Sequence, residues 1–410
     1  MRLLYSTIVL FAQALMHVVA LMHRKSRLWV QGRRNWRRRL LTWRAEHPGE
    51  LVWVHCASLG EFEQGRPVIE RIRRDKPRHT ILLTFFSPSG YEIRKSYPHV
   101  DGVFYLPADT YSSANYFLDI VRPSLACFVK YEYWPNYFLG CQERGVQLIM
   151  ISAILRRNQR FFGGLSFFWL PVLRSVSHFF VQDAASAQLL GEYGFTNATI
   201  AGDTRFDRVQ EVASAAPEYP EIRRWSENHN VLIGGSTWPA DERVLLGWWN
   251  MAPAGWKLLI VPHEVFESHV EALQRSWPEA ERWSERHTLG WGSGRVVIVD
   301  QVGSLSALYQ YASLAWIGGG FGAGIHNTLE AAAWALPIAF GPIHEKYAEA
   351  VALIHAGAAH SVASEADGVG LLVRWTAPET DNRAKGLASV KFVASGRGAT
   401  DKIMSCLEWH

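Results

Sequence analysis

The stretch Ile317-Gly318-Gly319-Gly320-Phe321-Gly322-Ala323-Gly324-Ile325-His326-Asn327-Thr328-Leu329-Glu330 carries an apolar, strand-like run into glycines and then into a helix opened by His, Asn and Glu. Glycines allow a backbone to approach a phosphate closely. The pattern predicts a helix over Asn327 to Ala335 whose first turn aims free N–H groups at an anion, with the macrodipole favouring negative charge. Asn327 can donate and accept, and Glu330, one turn on, can hold a pair of ribose hydroxyls. The plainer alternative is a polar-capped helix opened by glycines for packing. No placement of these glycines satisfies G-x-G-x-x-G, and the next strand-like run, Pro337 to Phe340, ends in Gly341-Pro342 without an acid. That argues against a dinucleotide, and the absence of G-x-x-x-x-G-K-[ST] argues against an ATP-hydrolysing P-loop.

Outward from this turn, short apolar runs alternate with helical patterns: Leu51 to Cys56, Thr80 to Phe85, Gly102 to Leu106, Leu125 to Val129, Leu148 to Ser152, His178 to Val181 and Thr199 to Ala201. Linker composition follows at Ser214 to Pro220, and the alternation restarts at Val231 to Ile233, Lys257 to Val261, Arg295 to Val299, Leu314 to Ile317 and Pro337 to Phe340. Such alternation predicts βαβ units on parallel sheets, here an α/β protein of two doubly wound Rossmann-like domains facing a cleft, with ligands at the carboxyl ends of the strands. The expected division is an N-terminal anchor over 1–23, a basic segment over 24–49, a first domain over 50–212, a linker over 213–229 and a second domain over 230–410.

The anchor rests on residues Leu3 to Met22, apolar but for Ser6, Thr7, Gln13 and His17, followed by Arg24, Lys25, Arg27, Arg33, Arg34, Arg37, Arg38, Arg39 and Arg44. About 20 apolar residues just span a bilayer core, and a basic C-terminal flank stays cytoplasmic on anionic headgroups. A cleaved signal peptide would carry the opposite charge order. Gln13 and His17 leave open whether the helix spans the membrane or lies on it. With 410 residues and 48% hydrophobic content the chain is long enough for two cores. Its 18 tryptophans suit packing first and sugar or membrane surfaces second. Four cysteines without C-x-x-C spacing indicate neither zinc nor a disulfide framework, and no acidic cluster has metal-ligand character.

Three charged residues at predicted strand ends are candidates for chemistry. Glu61 follows the Leu51 to Cys56 strand through Ala57-Ser58-Leu59-Gly60 and opens a helix, so it serves either as a general base facing the cleft or as a capping carboxylate. Glu132 follows the Leu125 to Val129 strand, just before Trp134-Pro135-Asn136. Two such acids suit glycosyl transfer, whereas the structural alternative pairs Glu132 with Lys130 or Arg156. Arg205, in Gly202-Asp203-Thr204-Arg205-Phe206-Asp207, either neutralises an anionic group or bridges to Asp203 or Asp207. In the second half, Gly234 to Trp238 and Val261-Pro262-His263-Glu264 follow strands and could line a nucleotide, although His263 is also a common type of satisfied polar residue.

Together, the apolar N-terminus, Ala57-Ser58-Leu59-Gly60-Glu61, Glu132 in Glu-x-Trp-Pro-Asn, Gly202 to Asp207, Gly235-Ser236-Thr237, the Pro262 segment and the glycine block through Phe340-Gly341-Pro342 resemble the 3-deoxy-D-manno-oct-2-ulosonic acid (Kdo) transferases, glycosyltransferase family 30, of GT-B architecture. The resemblance runs over nearly the whole chain. It implies transfer of Kdo from CMP-Kdo to a lipid A precursor of the lipid IVA type in lipopolysaccharide biosynthesis, at the cytoplasmic side of the inner membrane, with no cofactor, no metal and no nucleic acid. It further implies that Glu61 is the proton acceptor and that Glu132 and Arg205 stabilise the transition state. CMP would lie against Pro262 and His263, against Val302, Gly303 and Ser304, and against Asn327, Thr328, Leu329 and Glu330. The chain departs from the family in having Pro262-His263-Glu264 where Pro-Arg-His is common, and Arg205 where a Lys is common. The alternatives are a membrane-associated GT-B enzyme using a UDP or GDP sugar, and a non-catalytic nucleotide- or glycolipid-binding protein. The number of Kdo residues added, the acyl and phosphate pattern of the acceptor and the oligomeric state are not legible in the sequence.

Overall fold

The computed structural model describes residues 2–164, 166–288, 290–407 and 409, so the outer limits of the expected anchor and second domain, Met1 and His410, lie outside the described residues. The chain forms two compact units, residues 1–207 with 397–410, and residues 208–396. In the first unit β1 (Leu51–Cys56), β2 (Thr80–Phe85), β3 (Gly102–Tyr105), β4 (Leu125–Val129), β5 (Gln147–Ala153), β6 (His178–Val181) and β7 (Ala198–Ile200) form one sheet in the order β3-β2-β1-β4-β5-β6-β7. Every pairing is parallel. Trp53, Leu82, Phe128 and Met150 pack on one face, and Val54, Leu83, Cys127 and Ile149 on the other. Burial on both faces is why these strands read as continuous apolar runs. The order reverses between β1 and β4, where the helices leaving the two strands diverge and open a crevice at their carboxyl ends.

The second unit repeats the plan with β8 (Asn230–Thr237), β9 (Trp256–Pro262), β10 (Glu281–Arg282), β11 (Val296–Ile298), β12 (Leu314–Ile317), β13 (Ile338–Phe340) and β14 (Ala359–Ser361), in the order β10-β11-β9-β8-β12-β13-β14. Its reversal lies between β8 and β12, so the glycine stretch leaves the sheet at the switch point. Leu232, Leu258, Trp248 and Trp316 are fully buried in its core. The sequence reading lacked β10 and β14, edge strands of two and three residues that are polar or half-exposed.

The division of the chain differs from the expected one at both ends of the second unit. The units part after Asp207, inside the helix Arg205–Ser214, and most of the expected 213–229 linker beyond residue 219 is the helix Pro220–Ser226, with Ile222 and Trp225 buried. Residues 397–410 belong with the first unit rather than the second. Asp207 causes this return: its carboxylate accepts from the backbone N–H of Gly398 at 2.7 Å and of Thr400 at 2.8 Å, capping the helix Ala399–Ser405. Ile403, Met404 and Leu407 then complete the first unit's core beside Val68 and Ile72.

The helix Arg2–Val19 has a mean hydropathy of 1.5, enough by length and composition to cross a membrane, and only 6% of it is buried. Arg2, Tyr5, Ser6, Val9, Gln13 and Met16, at helical spacing, are its least exposed positions, while Leu3, Leu4, Phe11 and Leu15 lie open to solvent. The basic segment folds as the helices Arg24–Gly32 and Trp36–Glu46. Two of its arginines are structural. Arg33 is buried, donates to the carbonyls of Leu106, Trp29 and Phe86 at 2.8, 3.1 and 2.9 Å, and stacks on Trp29, and burial lowers its pKa to about 9. Arg44 holds the carbonyls of Val121, His47 and Gly49. Arg24, Lys25, Arg27, Arg34, Arg37, Arg38 and Arg39 keep their side chains at the surface, exposed or half-buried.

Candidate active site

Glu61 lies in the first turn of the helix Leu59–Asp75, which starts where β1 ends. Ser58 caps that helix by accepting from the Gly60 N–H at 3.2 Å, and its hydroxyl donates to Glu61 Oε2. The carboxylate is therefore held by the cap residue, and Oε1 has no hydrogen-bond partner among the described residues. Glu61 thus braces the cap residue without bonding a helix amide among the described residues, and it keeps one oxygen open.

Glu132 follows β4, the neighbour of β1, and is bonded to neither Lys130 nor Arg156 among the described residues. Its Oε2 lies 3.7 Å from Nε2 of His55, a fully buried residue of β1. The Trp134 indole N–H donates to that same Nε2 at 3.2 Å, so Nδ1 carries the imidazole proton toward Thr84 Oγ1 at 2.9 Å. Thr84 also accepts from the Trp53 indole at 2.8 Å. Sequence reasoning passed over His55. A polar residue in the middle of the Leu51–Cys56 run was the signal, but its partners come from two other segments, β2 and the turn after β4.

Both carboxylates act on the same end of the sheet. Burial, and then Cys127, Glu61 and Glu132, push the Cys56 thiol up. Tyr131 is raised by burial, with Glu61 and Arg205 both in electrostatic reach. The first unit therefore brings Glu61, Glu132 and Arg205 into one neighbourhood. Arg205 is tied to Asp203: Nε and Nη2 donate to Oδ2 at 2.9 and 2.7 Å, and the backbone N–H donates to Oδ1. Gln64 also donates to Asp203 at 3.0 Å. Burial raises the Asp203 pKa, but the Arg205 charge and these bonds outweigh it and leave the carboxyl below its ordinary value. Of the two bridges expected, Arg205 makes the one to Asp203, while Asp207 caps the terminal helix.

In the second unit Pro262 and His263 end β9, Val302, Gly303 and Ser304 follow β11, and Asn327, Thr328, Leu329 and Glu330 follow β12. The helix expected over Asn327 to Ala335 spans only Leu329–Ala333. Ala335 takes a left-handed φ of 57° and Leu336 precedes Pro337, a position that disfavours helix. A single turn has little macrodipole, which removes most of the support the expected longer helix would have lent to an anion. Asn327 caps it, accepting from the Leu329 N–H at 3.1 Å while donating to Glu330 Oε1 at 2.9 Å. The hydroxyls of Ser304 and Thr328 are buried with no hydrogen-bond partner among the described residues, an expensive condition in a folded interior.

Two residues that the sequence reading did not single out, Asp241 and Lys346, shape this turn together with Trp238, which it did. Asp241 is buried and accepts from the Gly319 and Trp238 N–H groups at 2.8 and 3.0 Å and from the Trp316 indole at 3.1 Å; burial raises its pKa. Lys346 lays its ammonium on the Ala323 carbonyl at 2.5 Å, bringing a cation to the glycines from a distant segment. Trp238 stacks on His263, which stacks on His326 with ring centres 4.3 Å apart, and the Trp238 indole donates to His326 Nε2 at 3.1 Å.

Burial, and then the His263 charge, lower the His326 pKa to about 4. His326 is therefore neutral at physiological pH and presents no charge to an anion. A depressed histidine pKa means that the unfolded chain binds the proton more tightly. The stability this residue contributes is present above pH 6.5 and is lost as pH falls through about 4. Chemical denaturation across that window should show weakening on acidification, and His326→Gln should flatten the dependence.

Residues 34–208 match the family model described as 3-deoxy-D-manno-octulosonic-acid transferase (kdotransferase). The chain is similar to the 3-deoxy-D-manno-octulosonic acid transferase of Haemophilus influenzae, 24% identical over 88% of this chain and 87% of the relative. It is likewise similar to that of Rickettsia bellii, 25% identical over 87% of each, and to that of Chlamydia muridarum, 26% identical over 73% of this chain and 72% of the relative. Among solved structures it resembles UDP-GlcNAc 2-epimerase from Neisseria meningitidis, with a TM-score of 0.61 at 12% identity over 87% of this chain and 99% of that one. It also resembles Acinetobacter baumannii MurG, with a TM-score of 0.54 at 11% identity over 87% of this chain and 98% of that one. At such identities the structural likenesses speak for the fold alone, which is the GT-B arrangement of two doubly wound units.

Proposed function

We propose, from the match of residues 34–208 to the Kdo transferase family model and the similarity of most of the chain to Kdo transferases, that this glycosyltransferase transfers Kdo from CMP-Kdo to a hydroxyl of a phosphorylated lipid A precursor at the cytoplasmic face of the inner membrane. The observation that carries the reading is the placement of Glu61 and Glu132 after β1 and β4, the two strands that flank the first unit's switch point. Glu61 takes the proton as the acceptor oxygen bonds to the anomeric carbon. The bond from that carbon to the phosphate oxygen breaks, and CMP leaves with the electron pair. Glu132 faces the positive charge that grows on the sugar, and Arg205, oriented by Asp203, holds an anionic group of the reactants. In the second unit, Ser304, Thr328, Asn327 and Glu330 hold the cytidine and ribose, while the glycine-turn amides and Lys346 hold the phosphate. The exposed apolar side of the helix Arg2–Val19 and the surface arginines after it attach the chain to the bilayer.

Competition distinguishes the donors. CMP should displace CMP-Kdo at concentrations where UDP and GDP do not. Equal or stronger displacement by UDP would move the assignment to a UDP-sugar enzyme of the same fold.

A further inference from the structure

A cavity of about 170 Å³ opens in the first unit beside Glu132. Trp134, Arg160, Phe161 and Trp169 line it, and so does Tyr5 from the N-terminal helix. Its volume is well below the ~300–1,000 Å³ of a site for a drug-sized molecule, so it suits one ring. Its walls are aromatic faces, with the Glu132 carboxylate at one edge and two further polar features. The Arg160 guanidinium sits 5.2 Å over the Trp169 ring and makes no hydrogen bond or ion pair among the described residues. Tyr133, also on the lining, has a buried hydroxyl without a hydrogen-bond partner among the described residues.

Tyr5 is fixed in place. Its ring lies 5.9 Å from that of Phe168, and the buried Asp109 is in electrostatic reach of its hydroxyl. The next residue, Ser6, accepts from Asn136 Nδ2 at 3.3 Å and from the Tyr111 N–H at 3.0 Å. Arg2 pairs with Glu143. The first turn of the apolar helix is therefore pinned by polar contacts to the segments that follow β3 and β4, while Leu3, Leu4 and Phe11 of the same helix point away into solvent.

We infer that this cavity receives the phosphate-bearing sugar ring of the acceptor, and that Tyr5 makes the N-terminal helix a wall of the acceptor site as well as an anchor. The inference rests on the transferase reading above. Aromatic faces stack against the apolar face of a sugar ring, Arg160 offers a bidentate fork to the phosphate, and Glu132 at the cavity edge brings the ring next to the reacting groups. A glycolipid lying in the bilayer would enter beside the helix whose outer face is in that bilayer.

The test uses the full chain, CMP-Kdo, and three detergent-solubilised acceptors: the tetra-acylated bisphosphorylated lipid A precursor and its two monophosphorylated forms. Arg160→Gln should raise KM for the bisphosphorylated acceptor about 10-fold or more, leave KM for CMP-Kdo unchanged, and lose its effect on one of the two monophosphorylated acceptors. Tyr5→Ala should likewise raise acceptor KM and spare donor KM. Leu15→Ser, on the helix's outer face, should leave the detergent kinetics as they are. Unchanged acceptor KM in Arg160→Gln, or an equal penalty on all three acceptors, overturns the inference while the transferase reading stands. Wild-type chain that transfers to none of the three overturns both.

Discussion

Glu61→Gln is expected to lower turnover of Kdo transfer by about 10²–10⁴-fold, the usual worth of a positioned general base, with CMP-Kdo binding retained. The amide keeps the shape of the side chain but cannot take a proton. Fold damage should be small, because Gln also accepts the Ser58 hydroxyl bond and is itself a favoured residue at that place in a capped helix. The competing role of Glu61, helix capping alone, predicts a different result: near-normal turnover with at most a modest loss of stability. Steady-state kinetics with the melting temperature measured on the same preparation separate the two roles. Glu132→Gln offers a comparison, since it sits beside His55 on the neighbouring strand and should depress kcat without abolishing proton removal.

The second large effect is expected at Gly318, for steric reasons alone. A Cβ at this position falls on the carbonyl of Ser236 and 2.7 Å from Thr237 Cα, both on β8. Backbone cannot rotate aside as a side-chain tip can. Gly318→Ala should therefore cost about 1–3 kcal/mol or more and push the glycine turn away from β8. The damage should reach the ligand groups, because Gly318 accepts the His326 N–H at 3.1 Å and the next residue, Gly319, is bonded to Asp241. Loss of CMP binding exceeding the loss of stability is the expected pattern in calorimetry. Gly322→Ala is the matched control: its Cβ meets only the Gly319 carbonyl oxygen at 3.8 Å, so it should be mild.

Much of this architecture was legible because parallel strands buried on both faces leave unbroken apolar runs. The limits of β1, β2, β4, β6 and β12 agree with the expected runs to the residue. Elements that bury little were harder. Glu281–Arg282 pairs through backbone alone and carries no apolar pattern. The helix after Asn327 looked longer because Ala331 to Ala335 favour helix locally, but Leu336-Pro337 and the left-handed Ala335 stop it. The basic segment read as uniformly membrane-facing because sequence does not distinguish a surface arginine from Arg33, whose guanidinium is spent on three carbonyls. Nor could composition say that the chain's last helix would pack on the first core, since that depends on two backbone amides meeting Asp207.

For the candidate site the contrast is sharper. Residues immediately after strands could be picked out, because strand-to-helix turns announce themselves. The groups that orient them come from elsewhere: Asp203 is reached by Gln64 from another helix, Asp241 ties β8's helix to the glycines of β12, and Lys346 arrives from beyond β13. Such pairings depend on sheet order, which the sequence reading did not specify strand by strand.

The central claim is most directly tested by incubating the purified full chain with CMP-Kdo and the tetra-acylated, bisphosphorylated lipid A precursor and resolving the lipid products by mass. The account predicts an acceptor heavier by whole Kdo increments with matching release of CMP, and from Glu61→Gln the same product at a rate about 10²–10⁴-fold lower. Folded wild-type chain that binds CMP yet leaves the acceptor mass unchanged would contradict the acceptor assignment, and wild-type chain that binds no CMP would contradict the donor as well.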